Sequence, residues 1–260
     1  MSNEKTFIPE ITVNNTKEER EVTIDGVEQK VEVPAQQGFN IKTKSLEGDY
    51  QKGFFVKDLE AVILFDRYQI QSKYNVKPMF MSNEFEFSGS RNNVRVYCPE
   101  KKEVLYEGPY SGAKDFFATG QITSAGTPEK SFDTFSILYL LIDGEVFRFR
   151  WKMNQNNTWF SYKDGAEDER GDRGYRGIKT KFALEKKKFG SNEFWACHLE
   201  NVGKVDRTEA DEIGDKLEDD MDEEVSKFKK GANGDSPQTV MDLEQIPMDQ
   251  DTVDVDSIPF

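Results

Sequence analysis

A single histidine, His198, and two cysteines, Cys98 and Cys197, supply all the imidazole and thiolate ligands in 260 residues. The cysteines lie far apart, so a structural zinc site lacks its ligand set. Two isolated cysteines, with no basic-then-apolar leader in "MSNEKTFIPE", fit a reducing cytoplasm. Long hydrophobic runs are missing too. The longest, "ILYLLI" at 137–142, suits a buried strand and is far too short to cross a membrane. Catalytic signatures are also absent: there is no P-loop, no GxSxG and no HExxH. Cys197 and His198 are neighbours on an expected strand, so their side chains should point apart and cannot work as a nucleophile pair. The cluster "DGAEDERGD" lacks the spacing of an EF-hand loop and reads as a solvated loop. No enzyme, cofactor, metal site or membrane partner is expected.

What is present is a strong charge asymmetry. The net charge is −14. Residues 206–260 carry 18 Asp/Glu and 5 Lys/Arg, whereas residues 1–205 carry 31 and 30, which is close to neutral. Within that body, residues 146–189 hold 12 Lys/Arg against 6 Asp/Glu. A basic stretch is therefore followed by an acidic appendage.

The chain divides into four parts. Residues 1–35 form an N-terminal extension with a hairpin, signalled by Asp25-Gly26 between β-rich runs. Residues 36–205 form a mainly β body. "AVILFDRYQI" and "NVRVYC" are rich in β-branched and aromatic residues, and "ILYLLIDGEVFRFRWKM" reads as two strands joined at Asp143-Gly144. "KFALEKKKFG" and "EFWACHLENV" look like a closing pair, and "SGAKDFFA" suits a short helix capped by Ser111. Residues 206–231 spell an acidic amphipathic helix. Ile213, Leu217, Met221, Val225 and Phe228 share one face, Thr208 stands at the cap position and Gly231 at the end. This helix either packs on the body or docks on a partner. Residues 232–260 have the composition of a disordered acidic tail.

The tail ends "DTVDVDSIPF". Asp254 and Asp256 precede Ile258, Pro259 and a terminal Phe260. Phe260 offers a ring to a pocket and a carboxylate to an Arg or Lys, while Pro259 limits the conformations lost on binding. This ending resembles the C-terminal tip of bacterial single-stranded DNA-binding proteins, with Ser257 interrupting the acidic run. The resemblance covers about ten residues. It implies that the tip recruits replication, repair and recombination enzymes with a basic pocket for the terminal Phe. It also implies that the body binds single-stranded DNA through an OB-like barrel with additions, in a bacterial or phage-infected cell, and it is compatible with a homo-oligomer. The upstream "DLEQIPMDQ" contains Ile246-Pro247-Met248 but has no terminal carboxylate.

Binding single-stranded DNA calls for basic groups along a track and aromatic rings for bases. In "GEVFRFRWKM", alternation puts Phe147, Phe149 and Trp151 on one side, where a core is the simpler role, and Arg148, Arg150 and Lys152 on the other. Further candidates are Trp159 and Tyr162, then Arg173, Tyr175, Arg176, Lys179 and Lys181 in a Gly-spaced loop, and Arg91 and Arg95 in "SGSRNNVRVY". Two other functions fit the same chain: an accessory protein that binds partners but little DNA, and an acidic DNA mimic.

Overall fold

The computed structural model describes residues 8–24, 27–34, 36–44, 50–87, 93–123, 126, 128–152, 156–170, 173–189 and 192–231. The tail with its tip, Arg91 and the turn at Asp25-Gly26 lie outside them. The protein is mainly β. Its strands are β1 (Glu10–Val13), β2 (Lys17–Ile24), β3 (Val27–Pro34), β4 (Phe39–Lys44), β5 (Tyr50–Val56), β6 (Leu59–Ser72), β7 (Met81–Ser82), β8 (Asn93–Cys98) and β9 (Glu103–Pro109). Helix α1 (Tyr110–Phe116) precedes β10 (Ala118–Ile122), β11 (Pro128–Lys130), β12 (Phe132–Ile142) and β13 (Glu145–Lys152). Helix α2 (Asn156–Arg170), a 3₁₀ turn (Gly174–Gly177), β14 (Ile178–Phe189), β15 (Asn192–Lys204) and helix α3 (Thr208–Gly231) complete the order.

Among the described residues, eleven strands share one sheet, in the order β5-β4-β1-β13-β12-β6-β7-β8-β9, with β14 branching from β6 and pairing with β15. The path is open at β5 and β9 and does not close into a barrel. Strand β1 is built into this sheet, parallel to β13, so the N-terminal segment is not wholly an extension. The hairpin β2–β3 forms its own two-stranded sheet, with Ile24 opposite Val27 as two-residue turn chemistry requires. At the β12–β13 turn, Asp143 and Gly144 both have positive φ, 50° and 80°, which suits the right-handed twist of the strands they join.

The strands bury side chains on both faces. In β6, Tyr139 faces Phe65 while Leu140 faces Ile63, so one residue is extra at Leu64 and the alternation shifts there. That bulge explains the unbroken apolar run Val62–Phe65. On one face α2 brings Trp159 and Ala166 onto Ile63, Leu138, Leu140, Phe147, Phe149, Trp151 and Phe182. Phe149 meets Phe39, Trp151 and Phe182 edge-on at 6.0, 5.2 and 4.9 Å. The same face continues into a second cluster with Tyr68, Phe85 and, from α1, Tyr110 and Ala113. On the opposite face α3 lays Ala210, Ile213, Leu217 and Met221 over Leu64, Phe65, Ile137, Tyr139 and Leu141. The acidic helix is thus packed on the body. Among the described residues, no helix is long and apolar enough to cross a membrane.

Two caps differ from expectation. Helix α1 starts at Tyr110 with Pro109 at the cap position and no side-chain cap bond, so Ser111 lies inside the helix. The earlier start lets Tyr110 bury its ring and share a 2.9 Å hydrogen bond with Thr134. At α3, Thr208 is the first helical residue, and Asp206 lies two positions before it. Asp206 accepts the Thr208 amide at 3.0 Å and the Thr208 hydroxyl at 2.8 Å, and these bonds hold its carboxyl below the usual range.

Candidate nucleic-acid interface

Strand β13 alternates as its sequence requires. Phe147, Phe149 and Trp151 enter the α2-side core. Arg148, Arg150 and Lys152 share the α3 face, opposite Tyr139, Ile137 and Phe135 of β12. Residues two apart on a strand are about 6.6 Å apart, so the three cations form an evenly spaced row. The next strand adds Arg67, opposite Ile137, and Gln69, opposite Phe135.

Internal groups already engage this row. Arg148 donates to Glu84 at 2.5 Å and lies 3.9 Å from Glu10. Tyr139 donates its hydroxyl to the same Glu84 at 2.8 Å, and its burial, together with that carboxylate, raises its pKa well above the usual value. Arg150 donates to Gln71 and stacks 3.9 Å above the Phe135 ring. Burial lowers the Arg150 pKa from its ordinary value. Lys152 pairs with Asp133 at 3.1 Å.

A second cluster lies under α3. Arg176 is 1% exposed and spreads its guanidinium over four acceptors. Its Nε donates to the Leu64 carbonyl at 2.6 Å, and its Nη atoms reach Asp215 at 2.6 Å, Glu218 at 3.2 Å and Asp211 at 3.3 Å. Arg173 donates to Asp215 at 3.0 Å and also to Glu218. Arg67 bridges Glu218 and Glu86, each at 2.9 Å. Arg207, one turn before Asp211, is the main cause of that carboxyl's lowered pKa, with Arg176 adding to it. Burying these charges is tolerable because every guanidinium meets carboxylates in good geometry; removing one partner of such a set typically costs about 3–5 kcal/mol.

Among the described residues, the expected Gly-spaced loop is largely regular structure. Helix α2 covers "NNTWFSYKDGAEDER", which includes much of the acidic stretch read as solvated, and the 3₁₀ turn carries Tyr175 and Arg176 inward. Trp159 and Tyr175 are core residues, 0% and 2% exposed, in edge contact at 5.4 Å. Tyr162 is half-buried and shares a 2.6 Å hydrogen bond with Thr180. Trp159 and Tyr175 therefore present no open ring face for a base. Lys179 pairs with Glu60 at 2.7 Å, Lys181 sits opposite Glu200, and Arg95 lies 3.8 Å from Glu107. Cys197 is buried, and that burial raises its thiol pKa, whereas His198 turns outward to Glu200 at 3.0 Å.

Several important residues are inconspicuous in the sequence. Arg67 is embedded in an apolar strand. The segment 83–87, "NEFEF", alternates acids with rings: Glu84 and Glu86 turn to the arginines on the α3 face, while Phe85 and Phe87 pack around Tyr68 on the other. Its period of two was the available signal. Compared with protein-family models, curated proteins and solved structures, the chain gives no match.

Proposed function

We propose that this chain is a non-enzymatic single-stranded DNA-binding protein whose acidic tail recruits replication, repair or recombination enzymes. The observation that carries this is the terminal Ile258-Pro259-Phe260 behind Asp254 and Asp256. A terminal Phe combines ring and carboxylate in one group, and few pockets other than a basic, apolar-floored one would select it. The resemblance of the tip implies an OB-like barrel, whereas the sheet of this chain is open. DNA binding needs an accessible sheet or helix surface and does not depend on barrel closure. A cytoplasmic setting goes with it.

One observation favours a second function, that of an accessory protein with little DNA affinity. Arg148, Lys152, Arg173 and Arg176 all meet internal carboxylates, so much of the basic stretch is neutralised within the fold. Titration of the full chain against labelled oligo-dT by fluorescence anisotropy at low salt separates the two. Salt-sensitive binding is expected. In parallel, deleting Phe260 or extending the chain beyond it should abolish capture of partner enzymes from bacterial lysate without changing DNA affinity. No oligo-dT binding, with tip-dependent capture intact, would leave the accessory role. Equal capture by the extended tail would end the recruiting proposal.

A further inference from the structure

Three rings gather where segment 83–87, β6 and α2 meet. Tyr68 stacks on Phe87 with centroids 3.7 Å apart and planes 28° apart. Phe160 lies 6.5 Å from Tyr68 with its plane only 15° away, and 6.3 Å from Phe87. Phe160 is 37% exposed, whereas Phe87 is half-buried and also meets Phe85 and Tyr110, so Phe160 forms the accessible edge of the aromatic cluster. Tyr68 backs Phe87 and Phe160 from inside. Its hydroxyl donates to Asp66 at 2.8 Å, and burial raises its pKa far above the ordinary value.

Cations border this edge from two helices. Lys163 stands three residues after Phe160 on the same side of α2 and is held to Asp66 at 3.3 Å. On α1, the Lys114 ammonium lies 5.0 Å from the centroid of Tyr110, whose ring is itself 5.2 Å from Phe87. Phe160 is nearly parallel to Tyr68 and tilted 32° from Phe87. These rings with the flanking ammonium groups meet the two needs of a stacked nucleotide, a π face for the base and a cation for the phosphate. A purely apolar partner would leave the lysines to be desolvated at a cost.

We propose that Phe87 and Phe160, backed by Tyr68 and flanked by Lys114 and Lys163, form a platform on which bases of single-stranded DNA stack. The proposal rests on the DNA-binding function proposed above and supplies the base-contacting residues that Trp159 and Tyr175, being buried, cannot. It also places the contact on the α2 face, away from the neutralised row of β13.

The test uses the full chain at low salt, with Phe160→Leu, Phe87→Leu, the double variant and Lys114→Glu. The probes are oligo-dT and an abasic oligonucleotide of equal length. Leucine keeps apolar volume but removes the ring face, and thermal melting checks folding. If Phe87→Leu melts early, Phe160, the more exposed of the two, still carries the test. The expected result is about a tenfold loss of oligo-dT affinity in the double variant, with binding to the abasic strand unchanged. Lys114→Glu should weaken both probes. Wild type and double variant binding oligo-dT equally would overturn the platform while leaving DNA binding intact. Equal losses on both probes would also overturn it, since stacking requires a base. Wild type failing to bind oligo-dT would overturn both proposals.

Discussion

Gly214 shows how one position can reverse a general rule. A glycine inside a helix normally costs about 0.5–1 kcal/mol relative to alanine, and α3 carries one in its second turn. A Cβ at Gly214 would come 2.8 Å from Nη2 and 2.9 Å from Cζ of Arg176. That guanidinium cannot swing away, because Leu64, Asp211, Asp215 and Glu218 hold it from several sides. Gly214→Ala should therefore destabilise the protein by about 1–3 kcal/mol, the usual cost of overpacking. Gly165 in α2, where nothing lies within 4 Å of an added Cβ, is the control. Gly165→Ala should be neutral or stabilising. Urea unfolding of both variants measures the difference, and a stabilised Gly214→Ala would mean that the Arg176 cluster is looser than its geometry shows.

At the scale of elements, α3 is a structural part of the body as well as an acidic one. It covers Leu64, Phe65, Ile137, Tyr139 and Leu141, and its Glu218 is the shared acceptor of three arginines. Cutting the chain before residue 206 should lower the melting temperature sharply and expose a dye-binding apolar face, whereas cutting after residue 231 should leave melting unchanged. Scanning calorimetry with and without a hydrophobic dye checks both cuts. The helix itself was legible in the sequence, because Ile213, Leu217 and Met221 recur at helical spacing with acids in the first turn. The hairpin at Asp143-Gly144 and the β14–β15 pair were legible for similar local reasons. The destination of Arg173 and Arg176 was not. Glycines around them suggest an exposed wrap, and only the distant Asp211, Asp215 and Glu218 turn them into an internal clamp. Helix α2 was hidden because its asparagines and acidic run have the composition of a loop, while the burial of Trp159 and Ala166 decides its form. The open sheet was hidden as well, since pairing order depends on contacts remote in sequence.

Across the whole molecule, charge is separated by position along the chain. Residues 232–260 contain seven Asp/Glu and no Lys/Arg. They follow directly on α3, so under the proposed DNA-binding function a strand approaching the body would compete with a tethered polyanion. Removing residues 232–260 should raise affinity for oligo-dT at low salt, and the gain should shrink as salt rises, because screening weakens the tail's competition. Anisotropy titrations of the full and shortened chains across a salt series measure this. A gain independent of salt would show that the tail acts by bulk rather than by charge.

The alternation in residues 83–87 also bears on how this protein can change over evolutionary time. Two functions are interleaved in one short stretch: even positions neutralise arginines and odd positions build an aromatic cluster, on opposite sides of the sheet. Point substitutions there would disturb one side and spare the other, so drift can tune each independently. A single-codon insertion or deletion would send carboxylates among the rings and rings among the arginines at once. Among related chains, this stretch should therefore tolerate changes of letter far better than changes of length.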